Sequence, residues 1–357
     1  MSYVRGQIVG MAGYVPGEQP QAGKFIKLNT NENPYPCSPA VTLAIQQCLQ
    51  QGLTRYPDPL ATAFRQAASD QLGVPPDWIL CGNGSDDLLT ILTRTFVDPG
   101  RLLRMPYPSY ILYRSLAEIQ GARSQEVRFR PDWTLGADFV APDPDLRLAF
   151  LPNPNSPTGT ILRPEQVLEL ARQLPCPLVV DEAYVDFADQ HCVPLVRECE
   201  RVIVTRTLSK SYALAGLRFG FLVAQPHLIR EMVKVKDSYN CDALSIAGAT
   251  AAISDVDWLN ENRSRIVSAR RRLTQELRAC GFTVPDSHAN FVWCTRPDWE
   301  LKPIYERLKN QRVLIRYMQY RDWGEGLRVT VGSDEQIDAF LALLRCELPA
   351  SPSEIPS

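Results

Sequence analysis

Short runs of β-branched and other apolar residues alternate with segments of helical period along most of this chain, and that alternation restricts the fold more than any other feature. Parallel strands cannot be joined by a tight turn, so strand–helix alternation points to βαβ units. The pattern predicts strands over 78–81, 101–105, 124–129, 147–151, 177–181, 201–205 and 217–223. It predicts helices over 85–96, 109–120 and 164–174 between them. Pro164 suits a helix start, where its missing N–H would have no partner anyway. These pieces predict an α/β fold: one mostly parallel sheet sandwiched by helices.

The rhythm changes after a long charged helix expected over 257–280. Strands over 290–294, 313–316 and 327–331, with helices over 301–310 and 334–345, read as a smaller α+β domain. A helix after Pro39 is expected to pack on it. With 357 residues the chain exceeds one ordinary core. The expected division is a large ligand-binding domain over 53–256, a small domain from 1–52 and 257–348, and a disordered Pro- and Ser-rich tail over 349–357.

Hydrophobic residues make up 45% and charged residues 22%, an ordinary globular balance with ample material for a core. The net charge of -2 gives no bias toward nucleic acid or an anionic membrane. No apolar run approaches the roughly 20 residues needed to span a bilayer. The N-terminus has no apolar segment of the kind a secretory signal needs. The ten cysteines are scattered without a C-x-x-C pair, and are expected to be reduced thiols of a cytoplasmic protein. His191, His227 and His288 lack metal-ligand spacing, so no metal is expected.

Four segments carry unusual residues where strands run into loops, the place where parallel sheets bind ligands. Gly82-Asn83-Gly84-Ser85-Asp86-Asp87 follows a strand and opens a helix, so its N–H groups suit an anion. Read alone it is equally a capped helix after a turn. It lacks the third glycine of a dinucleotide fingerprint and the Gly-Lys of a P-loop. Val179-Val180-Asp181-Glu182-Ala183-Tyr184 places a carboxylate at the end of a buried strand, where it needs a partner or serves as a helix cap. A protonated pyridine nitrogen is a suitable partner. Val204 to Lys210 is another strand that ends in a lysine, either a solvated side chain or a nucleophile toward an aldehyde. Thr207 and Ser209 beside it supply small donors for a phosphate. Arg218, eight residues on, is either a surface ion pair or a phosphate clamp.

In this order, with Asn153-Pro154-Asn155-Ser156-Pro157-Thr158-Gly159 between the first two, these motifs resemble those of the fold-type I aminotransferases that use pyridoxal 5'-phosphate. The resemblance covers nearly the whole chain. Asn31-Glu32-Asn33-Pro34, Arg55-Tyr56-Pro57, Thr207 to Arg218 and Leu327 to Gly332 are similar to the histidinol-phosphate aminotransferases within that family. Several of these marks are shared by enzymes acting on phosphothreonine or aromatic substrates.

The resemblance implies a catalytic Schiff-base lysine at Lys210, Asp181 on the pyridine nitrogen, and Tyr184 on the ring hydroxyl. It implies Tyr110 stacked on the ring, and Gly84, Ser85, Asp86, Thr207, Ser209 and Arg218 around the phosphate. Tyr56 is implied to reach the partner's active site in a homodimer. Substrate-binding residues are implied at Tyr14, Asn31, Tyr56, Arg316 and Arg328, with Arg328 clamping the carboxylate of glutamate. Arg316 reads equally as a surface charge on a strand. Asn290 falls where the family has a restrained asparagine. One position departs. The family usually has asparagine before Pro-Thr-Gly, in contact with the ring hydroxyl; here it is Ser156, preceded by Asn155. Either Ser156 makes a weaker contact, or Asn155 swings in, or water fills the gap. The activity implied is transfer of an amino group between L-histidinol phosphate and 2-oxoglutarate, in histidine biosynthesis. An aromatic aminotransferase, a phosphothreonine decarboxylase and a non-enzymatic binding module of the same fold are the alternatives.

Overall fold

The structure is a computed structural model and describes residues 3–13, 17–19 and 23–348. Tyr14 and the tail over 349–357 lie outside the described residues. The first strand, β1 (Ile26–Lys27), pairs in parallel with a strand near the far end of the chain, described below.

A seven-stranded sheet is the centre of the molecule. Its strands are β2 (Ile79–Gly82), β3 (Leu102–Tyr107), β4 (Arg123–Arg128), β5 (Leu146–Pro152), β6 (Leu178–Asp181), β7 (Val202–Thr207) and β8 (Gly220–Val223). They lie in the order β2-β8-β7-β6-β5-β3-β4. All run in parallel except β8, which is antiparallel to β7 and β2. The expected strand over 217–223 is shorter than predicted, because Ala215–Leu217 forms a tight helical turn and Arg218 is left-handed.

Both faces are covered at the middle of this sheet, so the inner strands β5, β6 and β8 are buried almost throughout and carry unbroken apolar runs, whereas the edge strand β4 is exposed at every position but Val127. Leu178, Val180, Val202 and Val204 face one core cluster, while Val179 and Ile203 face another. The crossover helices supply the covers. In chain order the helices are α1 (Gly6–Gly10), α2 (Pro39–Gln51), α3 (Thr62–Leu72), α4 (Ser85–Phe96), α5 (Leu112–Gln120), α6 (Pro164–Gln173), α7 (Leu195–Glu198), α8 (Pro226–Val233) and α9 (Ala243–Ser254). α3, α8 and α9 were not foreseen. α5 starts later than predicted, after the turn at Ser109 and Tyr110.

The long helix α10 (Val256–Ala279) leads to the second body. This body holds β9 (Phe291–Cys294), β10 (Val313–Leu314), β11 (Arg316–Tyr320) and β12 (Gly324–Thr330), with α11 (Leu301–Asn310) and α12 (Asp334–Glu347). The expected strand over 313–316 is in fact two. Val313–Leu314 pairs with β1, and Arg316 begins a longer strand in the sheet β11-β12-β9. The core here joins Leu273 and Leu277 of α10, Val292, Leu327, Val329 and Phe340, with Leu28 from the N-terminal segment.

Helix α2 corrects one expectation. It packs on α9 rather than on the small body, and Val41 joins the core of the large sheet. Its apolar face finds small residues on α9 to lie against, such as Ala249 and Ala252. No described helix is long and apolar enough to cross a membrane.

Candidate active site

The carboxyl ends of the parallel strands meet at one edge of the large sheet, where ligand clefts of open α/β sheets form. Asp181 ends β6 there and is 5% exposed. Its register partners are Pro152 and Thr205. Tyr113 Oη donates to Oδ2 at 2.7 Å, while the Ala183 N–H and Thr205 Oγ1 donate to Oδ1 at 3.2 and 3.3 Å. These donors are all neutral, and no cation pairs with Asp181 among the described residues. Burial therefore pushes its carboxyl up to about 6, against the pull of the three donors and with a small push from Asp86. A rise of that size corresponds to about 3 kcal/mol between the protonation states. A cation placed beside this carboxylate would recover that energy.

Lys210 follows β7 on a half-buried loop. Its Nζ donates to the Thr30 carbonyl at 3.3 Å and stands 5.7 Å from the centre of the Tyr184 ring. No carboxylate pairs with its ammonium among the described residues. The loop itself is held firmly. Asn33 Nδ2 donates to the carbonyls of Lys210 and Ser211 at 3.1 and 3.0 Å. Ser211 Oγ donates to Asp186, which also neighbours the buried Arg206–Glu182 pair. Tyr184 Oη accepts from Asn31 Nδ2 at 2.9 Å, so its own proton is available to a further acceptor. Asn31 is buried at φ 56, held by Thr330 and by Asn290 Nδ2, which donates to its carbonyl at 2.9 Å.

A second corner is built for an anion. Gly84, at φ 80, precedes α4, and no side chain caps that helix. Its first N–H groups, including those of Ser85 and Asp86, have no intrahelical partners and carry the positive end of the helix dipole. The Arg218 guanidinium lies over this turn. The positive φ demands glycine at Gly84, and a Cβ there would also displace the Arg218 guanidinium, whose Nη2 would lie 2.5 Å away. Arg218 Nη1 donates to Ser209 Oγ at 3.3 Å, and Thr207 Oγ1 donates to the same oxygen at 3.0 Å. The Asp86 carboxylate tempers this corner, 3.6 Å from Arg218 Nη2, and accepts from Tyr110 Oη at 3.3 Å. Tyr110 also stands edge-on to Tyr113.

The third corner comes from the small body. Arg316 and Arg328 are direct register partners on β11 and β12. Arg328 Nη1 donates to Ser156 Oγ and Nη2 to the Asn29 carbonyl, each at 3.0 Å. Asn155 is buried, with Nδ2 on Pro108 and Thr158 and its Oδ1 without a partner among the described residues. Tyr56 stands apart: it is 79% exposed and stacks on Tyr239 at 4.4 Å. Tyr113, Asn33 and the Thr30 carbonyl were not foreseen. A buried helix tyrosine reads as core in a sequence, and a backbone carbonyl leaves no residue signature at all.

The chain is similar to known proteins over almost its full length. Residues 23–344 match the family model for aminotransferase class I and II. A histidinol-phosphate aminotransferase of Rhodopirellula baltica is 56% identical over 97% of this chain and 96% of that protein. One from Trichormus variabilis is 46% identical over 96% of this chain and 98% of its own length. Among solved structures, histidinol-phosphate aminotransferase from Sinorhizobium meliloti in complex with pyridoxal-5'-phosphate superposes with a TM-score of 0.86. It is 26% identical, and the match covers 98% of this chain and 99% of that one.

Proposed function

The chain belongs to the class I and II aminotransferase family, and we propose that it acts as a histidinol-phosphate aminotransferase with pyridoxal 5'-phosphate as its cofactor. It moves an amino group between L-histidinol phosphate and 2-oxoglutarate, yielding imidazole-acetol phosphate and L-glutamate, in L-histidine biosynthesis. The observation that carries this reading is Asp181: a buried carboxylate with neutral donors only, in the same cleft as Lys210, whose amine meets the Thr30 carbonyl and no carboxylate among the described residues.

The residues fit the cofactor at each of its ends. Asp181 would hold the pyridine nitrogen as a cation, and the Gly84–Ser85–Asp86 turn with Thr207, Ser209 and Arg218 would hold the phosphate. Tyr184 would donate to the ring hydroxyl, since its lone pair is already engaged by Asn31. Tyr110 would cover the ring, and Asn155, whose Oδ1 is unpaired, would lie beside it. When bound, the cofactor supplies an aldehyde that takes up the amine and a ring that accepts an electron pair.

The protein's own part is then acid–base and electrostatic work. Lys210 Nζ would be the amine that holds the cofactor, and as a free base would take the proton from the substrate Cα. Its loop is fixed by Asn33, so the amine returns to one place. Donor and acceptor use the site in turn. One anion pocket, which Arg316, Arg328, Asn31 and, by the resemblance, Tyr14 would line, must therefore take a carboxylate and then a phosphate. A planar guanidinium fork matches both groups.

Three further points belong to this proposal. The protein works as a homodimer in the cytoplasm, with Tyr56 reaching the partner's site. In support, Tyr56 and Leu43 are 79% and 56% exposed. Their chain neighbours Pro57 and Ala44 line a groove together with Ala63, Ala247 and Ala251. The two bodies act as two domains, 53–256 and 257–348 with the N-terminal segment, α2 riding on the larger. Its partners are small molecules rather than nucleic acid or membrane.

A half-reaction assay tests the proposal. Pure protein loaded with cofactor is mixed separately with L-histidinol phosphate, L-phenylalanine and phosphothreonine. The expected result is loss of the visible cofactor band, fastest with L-histidinol phosphate. Faster reaction with phenylalanine would make it an aromatic aminotransferase, and CO2 from phosphothreonine a decarboxylase. Protein that takes up no cofactor would end the reading altogether.

A further inference from the structure

At the β4 edge of the large sheet, three contacts cross to the small body. Tyr107 and Arg128 are register partners at the ends of β3 and β4, and both reach the turn between β11 and β12. Tyr107 Oη accepts the Arg321 N–H at 2.7 Å, and its ring stands edge-on to Tyr320 at 5.9 Å. Arg128 pairs with Asp322. From the turn after β4, Trp133 lies against Trp323, with ring centroids 4.5 Å apart and planes 26° from parallel. Phe129 backs Trp133 at 5.9 Å. Trp133 stands at φ 62 and Asp322 at φ 65. Such a backbone is unfavourable for side chains of this kind and persists where surrounding contacts hold it.

Elsewhere the bodies are joined nearer the middle of the sheet. Phe187, after β6, belongs to the core of the small body, and the His288 N–H donates to the Gly159 carbonyl, after β5, at 2.7 Å. β4 lies two strands beyond β5, about 10 Å, so a hold at this edge acts on the small body with leverage. The turn it holds closes the hairpin whose strands carry Arg316 and Arg328.

We propose that Trp133 and Trp323 are positioning residues: their stack, with the Tyr107–Arg321 and Arg128–Asp322 contacts beside it, is a latch that sets the β11–β12 hairpin against the large body before substrate arrives. This rests on the function proposed above and deepens it. The stack is the main element, because two indoles shield each other's faces from water. The ion pair is half-exposed on both sides and contributes little, least of all in salt. Without the latch the hairpin samples other placements, and only the latched fraction presents its arginines to a ligand. Apparent affinity for every ligand that spans the two bodies then falls by that one fraction. A bound substrate restores the placement, so turnover of the complex changes little.

The test uses the holoenzyme. Stacked indoles couple their transitions and give a pair of far-ultraviolet circular dichroism bands of opposite sign. Wild type should show this couplet, and Trp133→Phe and Trp323→Phe should each lose it. Trp323→Ala should raise the KM for glutamate and for L-histidinol phosphate by one common factor, about fivefold, the size expected for one aromatic pair. It should weaken maleate, a dicarboxylate with no amino group to transfer, by the same factor, read from the cofactor's visible spectrum. Its kcat should fall by less than about twofold, and its affinity for the cofactor should be unchanged. Trp323→Phe, which keeps a ring to stack, should return each constant to within about twofold of wild type. Trp133→Ala combined with Trp323→Ala should be no worse than either alone, because each removes the same contact. Wild-type KM values and maleate affinity in Trp323→Ala overturn the inference. So do a change confined to one substrate, losses that multiply in the double variant, and a wild type without the couplet. In all four cases wild type still transfers the amino group, so the proposed function stands. A wild type that binds cofactor and maleate but transfers no amino group ends that function, while the maleate comparison still decides the latch.

Discussion

Two ends of one cleft are built differently. The Asp181 end lies inside the parallel sheet, fixed in register between β5 and β7, with donors from α5, β7 and its own loop. The Arg316–Arg328 end lies on two strands of a separate small sheet, and Arg328 is tied to the rest by side-chain bonds to Ser156 and Asn29. The Arg316 guanidinium has no ion pair or hydrogen bond among the described residues. With the roles proposed above, the difference follows from what each end would hold. A cofactor that never leaves can be met by a buried group matched to one charge. Substrates that alternate between carboxylate and phosphate need a cation with spare N–H groups and adaptable neighbours.

Substitutions at the two ends should therefore fail in different ways. Asp181→Asn should cut kcat by about 100-fold or more, because a buried charge aimed at the reacting system is lost. Substrate KM should change far less. If KM rises as much as kcat falls, the two ends are not separable. Arg328→Ala should do the reverse, raising the KM for glutamate by about 30-fold or more through loss of a charge-assisted fork. Steady-state kinetics with varied glutamate checks both.

The pH dependence sharpens the contrast. Asp181 has a folded value raised to about 6, so its protonated form is the one the cofactor-free fold prefers. The stability it contributes is present at low pH and lost as pH rises through about 6. Cofactor-free wild type should lose a few °C of melting temperature across that window relative to cofactor-free Asp181→Asn. Bound cofactor should abolish the difference. Parallel melting curves for the two proteins would contradict the burial argument. The smallest effect is expected from Tyr113→Phe, which removes one neutral donor from Asp181. It should weaken cofactor binding by about fivefold, measured by spectral titration, and leave the KM for glutamate unchanged.

The same contrast explains what the sequence reveals. Strand ends carry chemistry in a linear order, so Asp181, Lys210 and Arg218 stand out beside apolar runs such as Val179-Val180. Ser85 to Phe96 is legible as a helix because a glycine turn starts it and apolar residues recur on one face. What reaches the site from a distance is not legible. Asn33 contacts Lys210 across 177 positions, and Asn31, to which only the family resemblance points, reaches Tyr184 across 153. Tyr113 has the pattern of a core residue, and only its hydroxyl meeting Asp181 gives it a role. The run over 313–316 reads as one strand because nothing local marks the change of partner at Ile315. Helix α2 reads as part of the small body for a similar reason. Its apolar stripe specifies burial, and the small residues of α9 that receive it lie some 200 positions away.

The account rests on Lys210 as the amine that would hold the cofactor covalently, with the buried Asp181 carboxylate as the partner of its ring. Borohydride reduction of the cofactor-loaded protein, followed by peptide mass mapping, tests it most directly. The cofactor should be found on the peptide containing Lys210, at one per chain, and on none containing Lys27, whose ammonium is already paired with Glu32. A label on any other lysine, or no label on a protein that retains activity, would contradict it.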